Sequence, residues 1–156
     1  VETYDKEHAS GEVVGGGSPT FQFWAENTSW ECSPGTTLFW DMGYCTAFQE
    51  MPYEIAVALL TRVISKPGKD LFCVDCGYKA IASEMPLEKR LTVVGLDEVR
   101  IVSHSEEHMV LESPEANELC IGQPLLALPR HICPTIALHE NATIIRNGEV
   151  GCSKII

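Results

Sequence analysis

Apolar and polar residues alternate along this chain in short bursts rather than long stretches. Val99-Arg100-Ile101-Val102-Ser103-His104 alternates as a half-buried strand does. After Ser105-Glu106-Glu107, the run His108 to Leu111 can return antiparallel. Leu71 to Val74 and Leu125 to Leu128 are short apolar runs of strand length. Ile55 to Ile64 fits helix or strand by pattern, but Val57, Val63, Ile64 and the stop at Lys66-Pro67-Gly68-Lys69 favour strand. Pro34-Gly35 predicts a turn, and the β-branched and aromatic Thr36-Thr37-Leu38-Phe39-Trp40 behind it predicts another strand. Asn147-Gly148, between Ala142–Arg146 and Glu149–Ile156, predicts a hairpin, because both central residues of so tight a turn need φ > 0. Phe21 to Trp30 reads as a short helix started by the Thr20 side chain. Strands at short intervals linked by turns imply a mainly β chain, an antiparallel sheet closed as a barrel or sandwich.

Composition narrows the partners. The 156 residues are 45% hydrophobic and 21% charged, an ordinary globular balance with enough chain for one core. A net charge of −11 repels phosphate backbones and anionic lipid, which argues against nucleic acid and membrane surfaces. The longest apolar run, Ile55 to Leu60, is far short of the ~20 residues that span a bilayer. No charged-then-apolar signal segment opens the chain, and its first residue, Val1, points to a processed product or a piece of something longer. Seven widely spaced cysteines, an odd number, disfavour a disulfide framework and predict reduced thiols in the cytoplasm.

The sharpest candidate for chemistry is His131-Ile132-Cys133-Pro134-Thr135. In an extended segment residues i and i+2 share a face, and Pro134 biases Cys133 towards extended geometry. An imidazole and a thiolate side by side make half of a zinc site with positions open to substrate. The bland alternative is a buried cysteine beside a satisfied histidine. Gly15-Gly16-Gly17-Ser18-Pro19-Thr20 can converge backbone N–H groups on an anion, with hydroxyls from Ser18 and Thr20, or can be a flexible linker. It lacks the Gly-Lys-Ser/Thr ending of a P-loop. Cys73-Val74-Asp75-Cys76 has no second pair to complete a zinc ribbon and ends a strand rather than opening a helix, so it reads as structural. Ser105-Glu106-Glu107-His108 is either an acid–base cluster or a solvated turn, and Lys79 reads as a surface lysine rather than a Schiff-base one.

In this order, the motifs resemble the C-terminal part of the D-threonine aldolase and D-serine dehydratase family of pyridoxal-phosphate enzymes, related to alanine racemase. Gly15 to Thr20 matches the family's late phosphate-binding loop, and Pro34-Gly35-Thr36 to Asp41 its strand into the second domain. Val74-Asp75-Cys76-Gly77-Tyr78-Lys79-Ala80, Ser105-Glu106-Glu107-His108 and Pro129 to Thr135 match three later segments. Cys76 stands where the family has a small residue, and Met109 follows His108 where it often has glycine.

The resemblance implies two domains. Residues 1–30 would be the remnant of the end of a (β/α)₈ cofactor-binding barrel, and 31–156 an alanine-racemase-type C-terminal β domain carrying the metal ligands. It implies that Gly15, Gly16, Gly17, Ser18 and Thr20 grip the phosphate of pyridoxal phosphate, and that His131 and Cys133 hold a divalent metal beside a D-amino acid substrate. Cys133, where D-threonine aldolases tend to carry aspartate, leans towards the dehydratase pattern and towards zinc. The expected protein is a lyase of D-amino acid metabolism, by retro-aldol cleavage or dehydration, inactive as this fragment because the Schiff-base lysine lies elsewhere. The rival is a stand-alone metal-binding or interaction domain. An exposed patch of Phe21, Phe23, Trp24 and Trp30 would favour a homo-oligomer.

Overall fold

The computed structural model describes residues 13–155. It opens with β1 (Val14–Gly16), helix α1 (Phe21–Asn27) and β2 (Glu31–Ser33), and the two strands pair in parallel, Val14 opposite Glu31. A helix between parallel strands is the βαβ arrangement. Helix α2 (Met42–Ala47) follows, and then the strands β3 (Leu59–Gly68), β4 (Leu71–Val74), β5 (Leu91–Val93), β6 (Arg100–His104), β7 (Met109–Glu112) and β8 (Pro124–Pro129). These six form one antiparallel sheet in the order β5-β8-β3-β4-β7-β6, curled into half a barrel. Helix α3 (Ile132–Ile136) leads to an antiparallel hairpin, β9 (Asn141–Arg146) and β10 (Glu149–Lys154). The mainly β, antiparallel, barrel-like architecture expected from the alternation is therefore present.

One face of the curled sheet makes the core. Phe72 and Val74 of β4, Met109 and Leu111 of β7 and Ala127 of β8 are fully buried in one cluster with Val63, Ile81 and Ala116. On β7 the buried residues are Met109 and Leu111, two apart, as period-2 alternation requires. The hairpin turn falls at Asn147 (φ 53°) and Gly148 (φ 82°), both left-handed.

Four local expectations are corrected. Thr36–Trp40 is not a strand. Thr36–Leu38 is a 3₁₀ turn, and Trp40 sits at φ 52° with its ring buried between Tyr44 and Tyr53 (ring centroids 5.2 and 4.9 Å apart). Packing of one large ring has overridden β propensity. The strand sought in Ile55–Ile64 begins at Leu59 and runs through Pro67 to Gly68. Two register shifts against β4 absorb the proline, and Asp70 (φ 58°) makes the turn. Thr20 does not cap α1: its hydroxyl donates to the Gly16 carbonyl (2.9 Å). Finally, Cys133 is not extended. His131 is, at φ −134° and ψ 108°, but it is the residue before α3, and Cys133 lies in the first helical turn. A proline in that turn costs no hydrogen bond, because the first N–H groups of a helix have no partner within it.

Candidate functional site

The start of α3 is held from outside the helix. His131 supplies no side-chain cap. The carboxylate of Asp41 does so instead: Oδ2 accepts the Ile132 N–H (2.9 Å) and Oδ1 accepts the Tyr44 N–H (2.9 Å). One fully buried carboxylate thus caps α2 and α3 together. The left-handed Trp40 immediately before it turns Asp41 inwards, and the Gly43 N–H donates to the Arg130 carbonyl (2.9 Å) across the same junction. At the far end of the turn, the Thr135 hydroxyl donates to the His131 carbonyl (2.8 Å) and accepts the Ala82 N–H (3.2 Å).

Each candidate metal ligand has a partner from a distant segment. His131 Nδ1 lies 2.7 Å from Glu84 Oε1. A carboxylate can only accept, so Nδ1 carries the hydrogen and the lone pair is on Nε2, which has no partner among the described residues. Cys133 Sγ lies 3.0 Å from Thr36 Oγ1. Thr36 is buried, whereas Cys133 is exposed and the His131 side chain is 43% accessible. His131 and Cys133 both lie at the start of α3, His131 just before it and Cys133 in its first turn. Among the described residues no group of three or more His, Cys, Asp or Glu gathers there. One imidazole nitrogen and one exposed sulfur fit a borderline-soft divalent ion with open coordination positions.

The glycine loop adjoins the same turn. Ser18 is buried, and its Oγ accepts both the N–H and the hydroxyl of Thr37 (3.1 Å each). The neighbours Thr36 and Thr37 therefore touch one candidate site each: Thr36 the sulfur, Thr37 the loop. The Gly17 carbonyl accepts the Thr20 and Phe21 N–H groups (2.9 Å each). Thr20's hydroxyl hydrogen is engaged by Gly16, which leaves the Ser18 N–H and hydroxyl hydrogen without partners among the described residues. Beside the loop, Trp24 stacks on Trp30 (5.0 Å) and Phe23 is 55% exposed; Phe21 and both tryptophans are half-buried.

The remaining motifs form a second assembly. The N–H groups of Tyr78 and Lys79 donate to the carbonyls of Ser105 (2.9 Å) and Glu106 (3.2 Å). A Cβ at Gly77 would collide with the Glu106 carbonyl group and the Glu107 N–H, so only glycine permits this backbone-to-backbone docking. Two of the quoted motifs are thus the two halves of one joint, between β4 and the β6–β7 turn. Lys79 is exposed and bonded to Glu107 (2.7 Å) and Glu106 (3.0 Å). Those bonds raise its pKa, Glu107 first, which is the reverse of what an amine nucleophile needs. Burial pushes the Cys76 thiol up to about 12, and the Asp75 carboxylate adds to the effect. Burial raises Cys73 too, against a lowering bond from Ser65. Both thiols of the C-x-x-C are protonated and enclosed, as the structural reading of that motif expected.

Sequence reasoning singled out His131 and Cys133 as candidates and did not mark Asp41, Glu84 or Thr36 beside them. Asp41 left a trace as an N-capping residue type directly before Met42, where α2 begins. Glu84 and Thr36 lie 47 and 97 residues from their partners, and no local pattern marks them.

A family model described as "Putative serine dehydratase domain" matches residues 56–145, more than half of the chain. The chain belongs to this family. It is 29% identical to a D-threonine aldolase of Arthrobacter sp., over 88% of this chain and 37% of that protein. It is also 29% identical to the 3-hydroxy-D-aspartate aldolase of Paracoccus denitrificans (strain Pd 1222), over 96% of this chain and 40% of that protein. Its fold matches the crystal structure of D-threonine aldolase from Filomicrobium marinum with a TM-score of 0.75 at 24% identity, covering 89% of this chain and 40% of that one. The chain therefore spans about two fifths of the length of the curated relatives it matches. The resemblance read from the ordered motifs is to the right family.

Proposed function

We propose that residues 13–155 are the metal-bearing β portion of a pyridoxal-phosphate-dependent lyase acting on D-amino acids, with His131 Nε2 and Cys133 Sγ as the protein's ligands to zinc or another divalent ion. The observation that carries this reading is the His131–Glu84 pair, because a ligating imidazole is commonly anchored to a carboxylate through its other nitrogen. When bound, the metal would act as a Lewis acid on the substrate's β-hydroxyl, and the cofactor would supply an electron sink. Asp41 fixes the helix turn that presents both ligands, and Glu84 keeps the His131 lone pair on Nε2. Thr36 holds the sulfur, and Ser18, with Gly15, Gly16, Gly17 and Thr20 shaping the loop, offers its N–H and hydroxyl to the cofactor phosphate.

The relatives' names support a hydroxy-D-amino acid as substrate, and both aldol cleavage and dehydration remain within the proposal. The half-exposed aromatic cluster at α1 supports burial against more protein, in a homo-oligomer or the cofactor-binding barrel. The net charge of −11 and the free thiols support a cytoplasmic protein without nucleic-acid or membrane partners. We assign no turnover to this chain alone.

Equilibrium dialysis against zinc tests the reading. One ion should bind per chain and be lost in His131→Ala, with weaker binding at acid pH as protons compete for the ligands. Undiminished binding in His131→Ala would refute it.

A further inference from the structure

The two ligands are not alike in what steadies them, and the two supports come from opposite directions of the chain. Glu84 stands in the segment that follows the Gly77 joint. Its place is fixed by the Ala82 N–H on Thr135 and by the joint itself, so the carboxylate is held against His131 from the side of the curled sheet. Thr36 opens the 3₁₀ turn whose carbonyl accepts the Phe39 N–H (3.1 Å) and the Trp40 N–H (2.6 Å), so its hydroxyl is held against Cys133 from the side of the glycine loop. Thr36 is 5% exposed and cannot swing away, whereas the Glu84 side chain is 45% exposed and has no hydrogen-bonding partner besides His131 among the described residues.

We infer that Glu84 and Thr36 are positioning residues of the metal centre: Glu84 fixes the ring orientation and tautomer of His131, and Thr36 donates a hydrogen bond to the Cys133 sulfur once that sulfur is a thiolate. The inference rests on the metal reading above and deepens it: neither residue touches metal or substrate, and each acts through one ligand in a distinct, separately measurable way. Its physical basis differs between the two. An imidazole without the carboxylate can rotate and can place its hydrogen on Nε2, and either change removes the lone pair from the metal. A thiolate without a donor keeps more charge on sulfur, which changes the electronics of the metal–sulfur bond rather than its direction.

Zinc and cobalt(II) titrations of the chain separate these roles. Glu84→Ala should weaken zinc binding by roughly 10–100-fold, the usual range for such outer partners. Glu84→Gln should recover much of the loss, because its amide oxygen can accept the same Nδ1 hydrogen. The melting temperature should not move in either variant, since the side chain is half in water. Thr36→Val should shift the cobalt–thiolate charge-transfer band to longer wavelength, and Thr36→Ser should return it. The serine variant keeps the hydroxyl, so it remains informative if Thr36→Val fails to fold. Wild-type zinc affinity in Glu84→Ala together with an unmoved band in Thr36→Val, or in Thr36→Ala if the valine variant is unfolded, would overturn the inference and leave the metal reading standing. A wild-type chain that binds no zinc would overturn the metal reading, and the inference with it.

Discussion

Two cysteine motifs lie in this chain, and their fates are opposite. Cys73-Val74-Asp75-Cys76 ends β4 inside the core, with Cys76 2% exposed and its thiol held up to about 12. His131-Ile132-Cys133 opens α3 at the surface, with the sulfur exposed and bonded to a buried hydroxyl. On sequence spacing alone, the C-x-x-C is the more familiar metal or redox signal. Its context in the chain already spoke against that signal, and the burial of the pair does so for a physical reason. A ligand sulfur must lose its proton, and one at an open site must also be within reach of substrate; burial beside Asp75 opposes both at Cys76. The C-x-x-C instead contributes a wall of the core and leads the chain into the Gly77 joint.

That contrast can be broken most severely at the joint. Gly77→Ala must displace the Glu106 backbone, and it should destabilise the chain by about 3 kcal/mol or more, the upper end of overpacking costs. Urea unfolding would register the loss, and a variant as stable as wild type would mean that the joint is looser than described.

The raised thiol has a consequence at alkaline pH. In the unfolded chain Cys76 gives up its proton near 9, while in the folded chain it holds it to about 12. Between those values the unfolded state binds fewer protons, so stability falls as pH rises, by up to about 1.4 kcal/mol per pH unit from this group. Below pH 9 it contributes no slope. Cys76→Ala should flatten the alkaline decline, and Cys133→Ala should leave the Cys76 contribution in place. Urea midpoints measured from pH 8 to pH 11 would show the difference.

Asp41 carries the other half of the comparison. Asp41→Ala removes two caps and should cost about 2 kcal/mol, at about 1 kcal/mol per cap. Asp41→Asn should keep most of the helix capping, because asparagine caps nearly as well as aspartate. The smallest change is expected at Lys79, whose ion pairs are fully in solvent: Lys79→Met should leave the melting temperature where it was.

Much of the sheet was legible because its signals are local. Period-2 burial on β7 and the Asn147-Gly148 turn need only neighbours in sequence. The stretch from Thr36 to Asp41 was misread because its conformation answers to residues far away. Trp40 is left-handed so that its ring reaches Tyr44 and Tyr53 and Asp41 reaches Ile132, and nothing in a β-branched, aromatic run announces that. The same distance hid Glu84 and Thr36. The pair His131 and Cys133 was singled out by a geometric argument that does not hold, since Cys133 is helical, and by resemblance to a family to which the chain does belong.

The central claim is that the exposed, partnered sulfur and not the buried pair takes the metal. Zinc titration of Cys133→Ser, Cys73→Ser and Cys76→Ser decides it directly. The account predicts that Cys133→Ser loses most of the affinity while the two core variants, once shown to be folded, bind as wild type does. Loss of binding in a folded Cys73→Ser or Cys76→Ser with Cys133→Ser unaffected would contradict it.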